Sequence, residues 1–351
     1  MEVFTGILFH GIGASCAALC YTPEKKVRQW SWQSYWLAQA LVCWLLLPIV
    51  VAWITIPDLG TVLREAPTDV MVTTFLLGMA YGVGGTAFGM AIRYVGYSLT
   101  YAISVGLSCV LGTIIPPLVR GDLGNLLSHN GSGYIVAGMV IGVVGIALCG
   151  RAGRGKEKDL SSTESLKGFS IKKGLPLCIL AGVLSAVYGF SLDHGQPIAE
   201  IAAAHGAGNY QGNVIYIFSN SGAFLTTLIY CSYLHTRGRT WGEYGFFGNA
   251  GDARPLLPNF LLATLTGILW YFQFFFYGFG HVRMGTYKPT SWAIHMIMLV
   301  MLSALTGLLL REWKGSSRNT MRFLFAALLI LVSAVIILTF GNYLGGQGNA
   351  H

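Results

Sequence analysis

A chain of 351 residues that is 54% hydrophobic and 10% charged, with a mean hydropathy of +0.60, does not describe a soluble globule, whose charged share is about 25%. It predicts a polytopic membrane protein. The formal charge of +8 does not point to nucleic acid, because Lys and Arg fall between apolar runs, where they meet anionic headgroups and set orientation; membrane lipid is the expected macroscopic partner and no nucleic acid is implied.

The first apolar run follows Met1-Glu2 with no basic n-region and no A-x-A site, so it is expected to stay as a span and not to be removed as a signal peptide. A bilayer core takes about 20 apolar residues per helix. Ten such runs occur, at roughly 4–21, 33–56, 71–91, 97–118, 133–150, 173–193, 212–235, 258–279, 289–310 and 322–344. An even number puts both termini on one side. Lys and Arg accumulate in cytoplasmic loops, and the alternate loops hold 18 of them against 4 when the termini are outside. Both termini are therefore expected to be periplasmic. The seven cysteines, at 16, 20, 43, 109, 149, 178 and 231, lie mostly inside apolar runs with no C-x-x-C; they read as small packing residues, and no metal site is expected.

The basic, Ser- and Gly-rich segment RAGRGKEKDLSSTESLKGFSIKK divides the chain at 151–173 and reads as a solvated cytoplasmic linker. The halves on either side, 1–150 and 174–351, are weakly alike: in GMAYGVGGTAFGMAIRYVG and GILWYFQFFFYGFGHVRMG, Gly78, Tyr81, Gly89 and Gly96 meet Gly267, Trp270, Gly278 and Gly285. Five spans per half make the repeats antiparallel. The expected fold is an all-α integral membrane protein of ten transmembrane helices arranged as two inverted five-helix repeats, a recurrent transporter design. The third span carries Gly78, Gly82, Gly84, Gly85 and Gly89, which serves equally to leave room for a ligand or to let helices approach. Pro48, Pro116-Pro117 and Pro176 lie near span ends, where breakers and kinks are tolerated.

No G-x-S-x-G, G-x-x-x-x-G-K-[ST], H-E-x-x-H or dinucleotide-binding glycine motif occurs, so no enzyme chemistry is expected. Without a P-loop, concentrative transport has to draw on an ion gradient, with the proton as coupling ion and no cofactor. A proton needs a titrating group. His295, His10 and Asp193 are the candidates in that order, with His281 and Glu200 behind them; histidine titrates nearest physiological pH. His295 lies one turn from Trp292, on the same helical face. Each histidine has two readings, a pathway group or a hydrogen-bonded packing residue, and Asp193 and Glu200 sit at or beyond a span end, where water can reach them.

The densest polar and aromatic stretch is Gly267 to His295, with Trp270, Tyr271, Gln273, Tyr277, Trp292 and His295 in or beside apolar runs. Polar groups in hydrocarbon are expensive and by default mark a cavity or partner helix. A sugar site joins an aromatic ring to amides, imidazoles and hydroxyls, because a hydroxyl left unpaired in a dry pocket costs about 1–3 kcal/mol. A charged substrate would want a buried Arg, Lys or carboxylate, and the spans hold almost none. The substrate is expected to be a small neutral solute.

Two blocks carry a family resemblance. WYFQFFFY, then GHVR, TY, SW and HM, together with LFHGIGASCAALCYTPEKKVRQWSW, resemble the L-rhamnose-proton symporter family of bacterial inner membranes, within the drug/metabolite transporter superfamily. The likeness covers essentially the whole chain and is strongest at Gly6 to Trp32 and Gly267 to Trp313. It implies pathway roles for His10, Trp270, Tyr271, Gln273, Tyr277, His281, Arg283, Tyr287, Trp292 and His295, to which the repeat adds Tyr81. One departure bears on coupling. Where the family commonly has an acid after the residue matching Tyr287, this chain has Lys288-Pro289, and Asp193, expected on the same outer side, is the candidate to compensate. The function so implied is proton-coupled symport of a neutral sugar, foremost L-rhamnose. The rivals are another sugar or small metabolite, taken up or exported, and a membrane sensor without transport.

Overall fold

The computed structural model describes residues 2–121, 124, 128, 130–159, 170–245, 255–285, 290–309 and 313–347. Over these the chain is helical and holds no β-strand. Helix α1 spans Glu2–Leu19; α2 (Trp32–Ala40) passes through a π-helical stretch, Leu41–Leu46, into α3 (Leu47–Thr55), and α4 is Leu59–Glu65. Helix α5 (Thr68–Thr100) passes through a second π-helical stretch, Tyr101–Val105, into α6 (Gly106–Arg120), followed by α7 (Ser132–Asp159) and α8 (Ile171–His194). The remainder is α9 (Gln196–Ala204), α10 (Asn213–Gly238), α11 (Leu256–Val282), α12 (Ser291–Leu309) and α13 (Arg318–Gln347).

Among the described residues nine helices are long and apolar enough to cross a bilayer, so the chain is a multi-pass membrane protein. Phe4, Trp53, Leu309 and Leu329 point outward and exposed, as side chains do when lipid is the solvent. The span expected at 97–118 stands apart, its apolar helix among the described residues being Ile103–Gly112. The segment expected to be linker from 151 onward begins as helix: α7 continues to Asp159 and α8 starts at Ile171. Packing explains the extension. The Arg151 guanidinium lies 4.5 Å from the Phe323 ring centre and the Lys156 ammonium 4.8 Å from that of Trp313, which gives the charged turns apolar partners.

The chain forms two compact units, one of residues 1–18, 84–190 and 276–351, the other of residues 19–83 and 191–275. In the first, α7 and α13 run antiparallel: a Cβ on Gly138 would meet Leu338, one on Gly145 Leu331 and one on Gly155 Thr320, all within 2.8 Å. Small residues along α7 thus allow the two backbones to approach. The same unit reverses the chain between α5 and α6. Helix α5 runs against α8, with Gly84 facing Leu184 and Val95 facing Gly174. Helix α6 runs along α8, Ser104 donating to the Cys178 carbonyl at 2.9 Å and Ser108 to Ser185 at 3.0 Å. Thirteen residues of straight helix span about 20 Å, yet the rings of Phe88 and Tyr101 are 5.0 Å apart. The turn therefore lies between Phe88 and Tyr101 and leads into the second π-helical stretch.

In the second unit α10 lies against α5 at three glycines. A Cβ on Gly78 would stand 2.0 Å from the Ser219 carbonyl oxygen, on Gly82 2.5 Å from that of Ala223, and on Gly222 2.1 Å from that of Phe75. Here Gly78 and Gly82 of the third span serve helix approach. The loop before α2 is pinned as well. Glu243 accepts from the Ser31 N–H at 2.7 Å, the Ser31 hydroxyl at 2.8 Å and the Ser34 hydroxyl, while Trp30 Nε1 donates to the Glu243 carbonyl at 2.9 Å.

Candidate functional site

In the first unit five of the side chains singled out in the sequence, His10, Tyr277, His281, Trp292 and His295, converge. His10 and His295, 285 positions apart, are fully buried with ring centres 5.9 Å apart. Tyr277 sits against both, 5.3 Å from His10 and 5.4 Å from His295, and also 5.6 Å from Trp292 and 5.7 Å from His281. The backbone makes this possible at Gly280. A Cβ there would lie 2.8 Å from His10 Cε1 and 2.7 Å from the Gly6 carbonyl oxygen, so only glycine lets α1 bring the imidazole flush against α11. Neither ring nitrogen of His10 or His295 has a hydrogen-bond partner among the described residues. A buried polar atom in that condition costs about 1–3 kcal/mol, and a native structure accepts such a cost where a ligand, proton or water has business.

Trp292 is positioned differently. Its indole N–H donates to the Ser108 carbonyl at 3.0 Å, and the ring lies between Gly112 and Gly189, where a Cβ would fall 2.4 Å and 3.2 Å from ring atoms. It wedges α12 between α6 and α8 and closes one side of Tyr277. Arg283 is likewise committed, donating to the Phe279 carbonyl at 2.8 Å and lying over the rings of Phe9 and Phe279. That arrangement closes the carboxyl end of α11, where a cation is favoured by the helix dipole.

Trp270, Tyr271, Gln273 and Tyr81 belong to the second unit and are buried there. Trp270 packs 6.2 Å from Tyr81 and 4.8 Å from Phe274. Tyr271 packs edge-on to Tyr216 at 6.2 Å, and its hydroxyl has no partner among the described residues. Sequence reasoning missed the residue that joins this cluster, Trp44, which stands edge-on to Trp270 at 5.3 Å and to Tyr81 at 6.0 Å. It is presented by the π-helical stretch Leu41–Leu46, a form of winding frequent at functional sites. Like Trp36 Nε1 and the Gln39 amide nitrogen one to two turns earlier, its indole N–H has no partner among the described residues. The signal was present: Gln39 is a buried amide inside an apolar run, the same feature that singled out Gln273. Asp193 lies partly buried near the end of α8 and Glu200 is exposed on α9. Tyr287 and Lys288 lie outside the described residues, so the pairing of Asp193 with Lys288 does too.

Among the described residues no group of His, Cys, Asp and Glu could hold a metal ion. The polar atoms left over in the two clusters are instead those of imidazoles, indoles, an amide and a phenol. These can bind hydroxyl groups and stack on the apolar face of a ring, and the two imidazoles can carry a proton.

The profile of the L-rhamnose-proton symport protein family matches residues 1–344. The chain belongs to that family. Its curated relatives include the L-rhamnose-proton symporters of Cronobacter sakazakii, 36% identical over 96% of this chain and 97% of that relative, and of Mannheimia succiniciproducens, 35% identical over 97% and 98%. That of Yersinia pestis is 32% identical over 97% of this chain and 98% of its own. The family is one of symporters and not of enzymes. The match runs through both units, so the histidine cluster and the tryptophan cluster are each parts of a family member's fold.

Proposed function

We propose that the protein is a proton-coupled symporter that takes up L-rhamnose across the bacterial inner membrane, using no cofactor beyond the coupling proton. The observation that carries this reading is the family match over residues 1–344, together with near-complete coverage of relatives named as L-rhamnose-proton symporters. Among the described residues no Lys, Arg, Asp or Glu is buried with the tryptophan cluster, which supports a neutral cargo. Trp44, Trp270 and Tyr81 offer stacking faces, and Gln39, Gln273 and Tyr271 offer groups for sugar hydroxyls.

His10 and His295 supply the coupling site. Two imidazolium charges at their separation of 5.9 Å repel by about 3 kcal/mol at an effective dielectric of 20, so the pair holds one proton at a time. A singly protonated pair has three donors and one acceptor, which favours a hydroxylated ligand. Proton and sugar then strengthen each other's binding by the same factor, as linkage requires.

The chain threads the membrane ten times in two inverted repeats, with both termini periplasmic. Three observations support the ten spans and their inversion: α5 runs against α8 while α6 runs along it, α7 and α13 are antiparallel, and residues 19–83 and 191–275, which occupy like places in the two halves, form one compact unit; the loop charges, 18 basic residues against 4, support the periplasmic termini. The test is uptake of labelled L-rhamnose, with competing sugars, in cells lacking their own carrier. Accumulation that collapses with a protonophore and yields to unlabelled L-rhamnose is expected. Accumulation indifferent to the proton gradient, or blocked better by a different sugar, refutes the coupling or the cargo respectively.

A further inference from the structure

Sharing no residue with the histidine cluster, a cavity of about 710 Å³ lies in the first unit between the carboxyl end of α7 and the amino end of α13. Its rim holds Arg151, Arg154 and Lys158, all exposed, and its wall includes Ile103, Leu148 and Phe323. Spacings of three and four residues put the three cations on one face of α7. Arg151 is held in place over the Phe323 ring at 4.5 Å. The nearby acid does not fill the cavity: the Asp159 carboxylate accepts from the Ser317 N–H and the Thr320 hydroxyl, each at 2.7 Å.

We propose that this cavity binds the phosphate headgroup of an anionic phospholipid, gripped by Arg151, Arg154 and Lys158 while its acyl chains follow the apolar wall. The volume falls in the range of small-ligand pockets. Arginine forks match phosphate oxygens, and basic pockets between transmembrane helices are suited to anionic headgroups. The ligand chemistry, a phosphate ester, is shared with soluble phosphate compounds. The apolar wall decides for lipid: the cations begin where the apolar run of α7 ends, at the depth of headgroups, and Ile103, Leu148 and Phe323 give a free phosphate nothing. A zwitterionic lipid carries its own cation and gains less from the three charges.

The experiment uses the full-length protein in detergent, titrated with phosphatidylglycerol or phosphatidylcholine and read by native mass spectrometry, with thermal unfolding to verify folding. A basic residue at a membrane surface contributes a factor of about five in affinity. The R151Q/R154Q/K158Q variant is therefore expected to lose about tenfold to about 100-fold in phosphatidylglycerol affinity and to bind phosphatidylcholine as before. K172Q/K173Q/K314Q, which removes three cations elsewhere, is expected to bind like wild type. The milder Lys158→Glu reports the same loss, in smaller measure, should the triple variant unfold. Equal phosphatidylglycerol binding by wild type and both cavity variants, or an equal loss in the control, overturns the site. Displacement of phosphatidylglycerol by glycerol phosphate at equal concentration overturns the lipid and assigns the cavity to a soluble phosphate ester. None of these readouts depends on sugar transport.

Discussion

His295 is buried with both ring nitrogens unpartnered among the described residues and with His10 and Tyr277 against it. A packing histidine would be expected to donate at least one hydrogen bond. Replacing it with glutamine keeps a donor and an acceptor but removes the titration. His295→Gln should still exchange labelled for unlabelled sugar across equilibrated membranes while failing to accumulate sugar down a proton gradient. Wild-type accumulation and pH dependence in this variant would make His295 a packing residue and move coupling to His10 or Asp193. Gly280 belongs to the same argument, because any larger residue there displaces the His10 ring, the proposed partner of His295 in holding the proton.

At the scale of elements, the charged end of α7 is tied down by hydrogen bonds. The α7 terminus caps α13 through Asp159, and hydrogen bonds from the Ser317 N–H, then from the Thr320 and Ser317 hydroxyls, hold its carboxyl below the ordinary value of 3.8. A carboxylate whose pKa is lowered by folding adds stability above its unfolded value and loses that contribution as pH falls through the folded one. Wild type should therefore lose melting temperature more steeply than Asp159→Asn as pH drops below about 4, the variant being the less stable near neutrality. Parallel melting curves for the two proteins from neutral pH down to pH about 3 would show that the cap contributes nothing. Glu243 does comparable work on the loop before α2, where it gathers Ser31, Ser34 and, through its carbonyl, Trp30.

For the whole molecule the decisive variable is how the helices alternate across the bilayer. The loop charges, 18 basic residues against 4, favour periplasmic termini by the positive-inside rule. Cysteines introduced in 151–173 should react only with membrane-permeant thiol reagents, and one placed beyond Leu344 with impermeant reagents. The reverse labelling would put both termini in the cytoplasm and invert every assignment of inner and outer face.

Hydropathy is a local, one-dimensional property, so the sequence by itself determined that this is an all-helical membrane protein and where nearly every span lies. It also singled out His10, Tyr277, Trp292 and His295, because polar and aromatic side chains in hydrocarbon stand out against their neighbours. Only the tertiary structure decided which of these meet. His10 lies against Tyr277 because α1 and α11 cross at Gly6 and Gly280, and there it also meets His295 of α12, a packing event that no local pattern encodes. The same holds for Trp44, presented by a π-helical stretch whose extra residue per turn leaves no mark on hydropathy. The glycines of the third span had two readings in the sequence. For Gly78 and Gly82 the contacts with Ser219 and Ala223 settle them as packing positions, since backbone oxygens at such distances leave no space for a side chain.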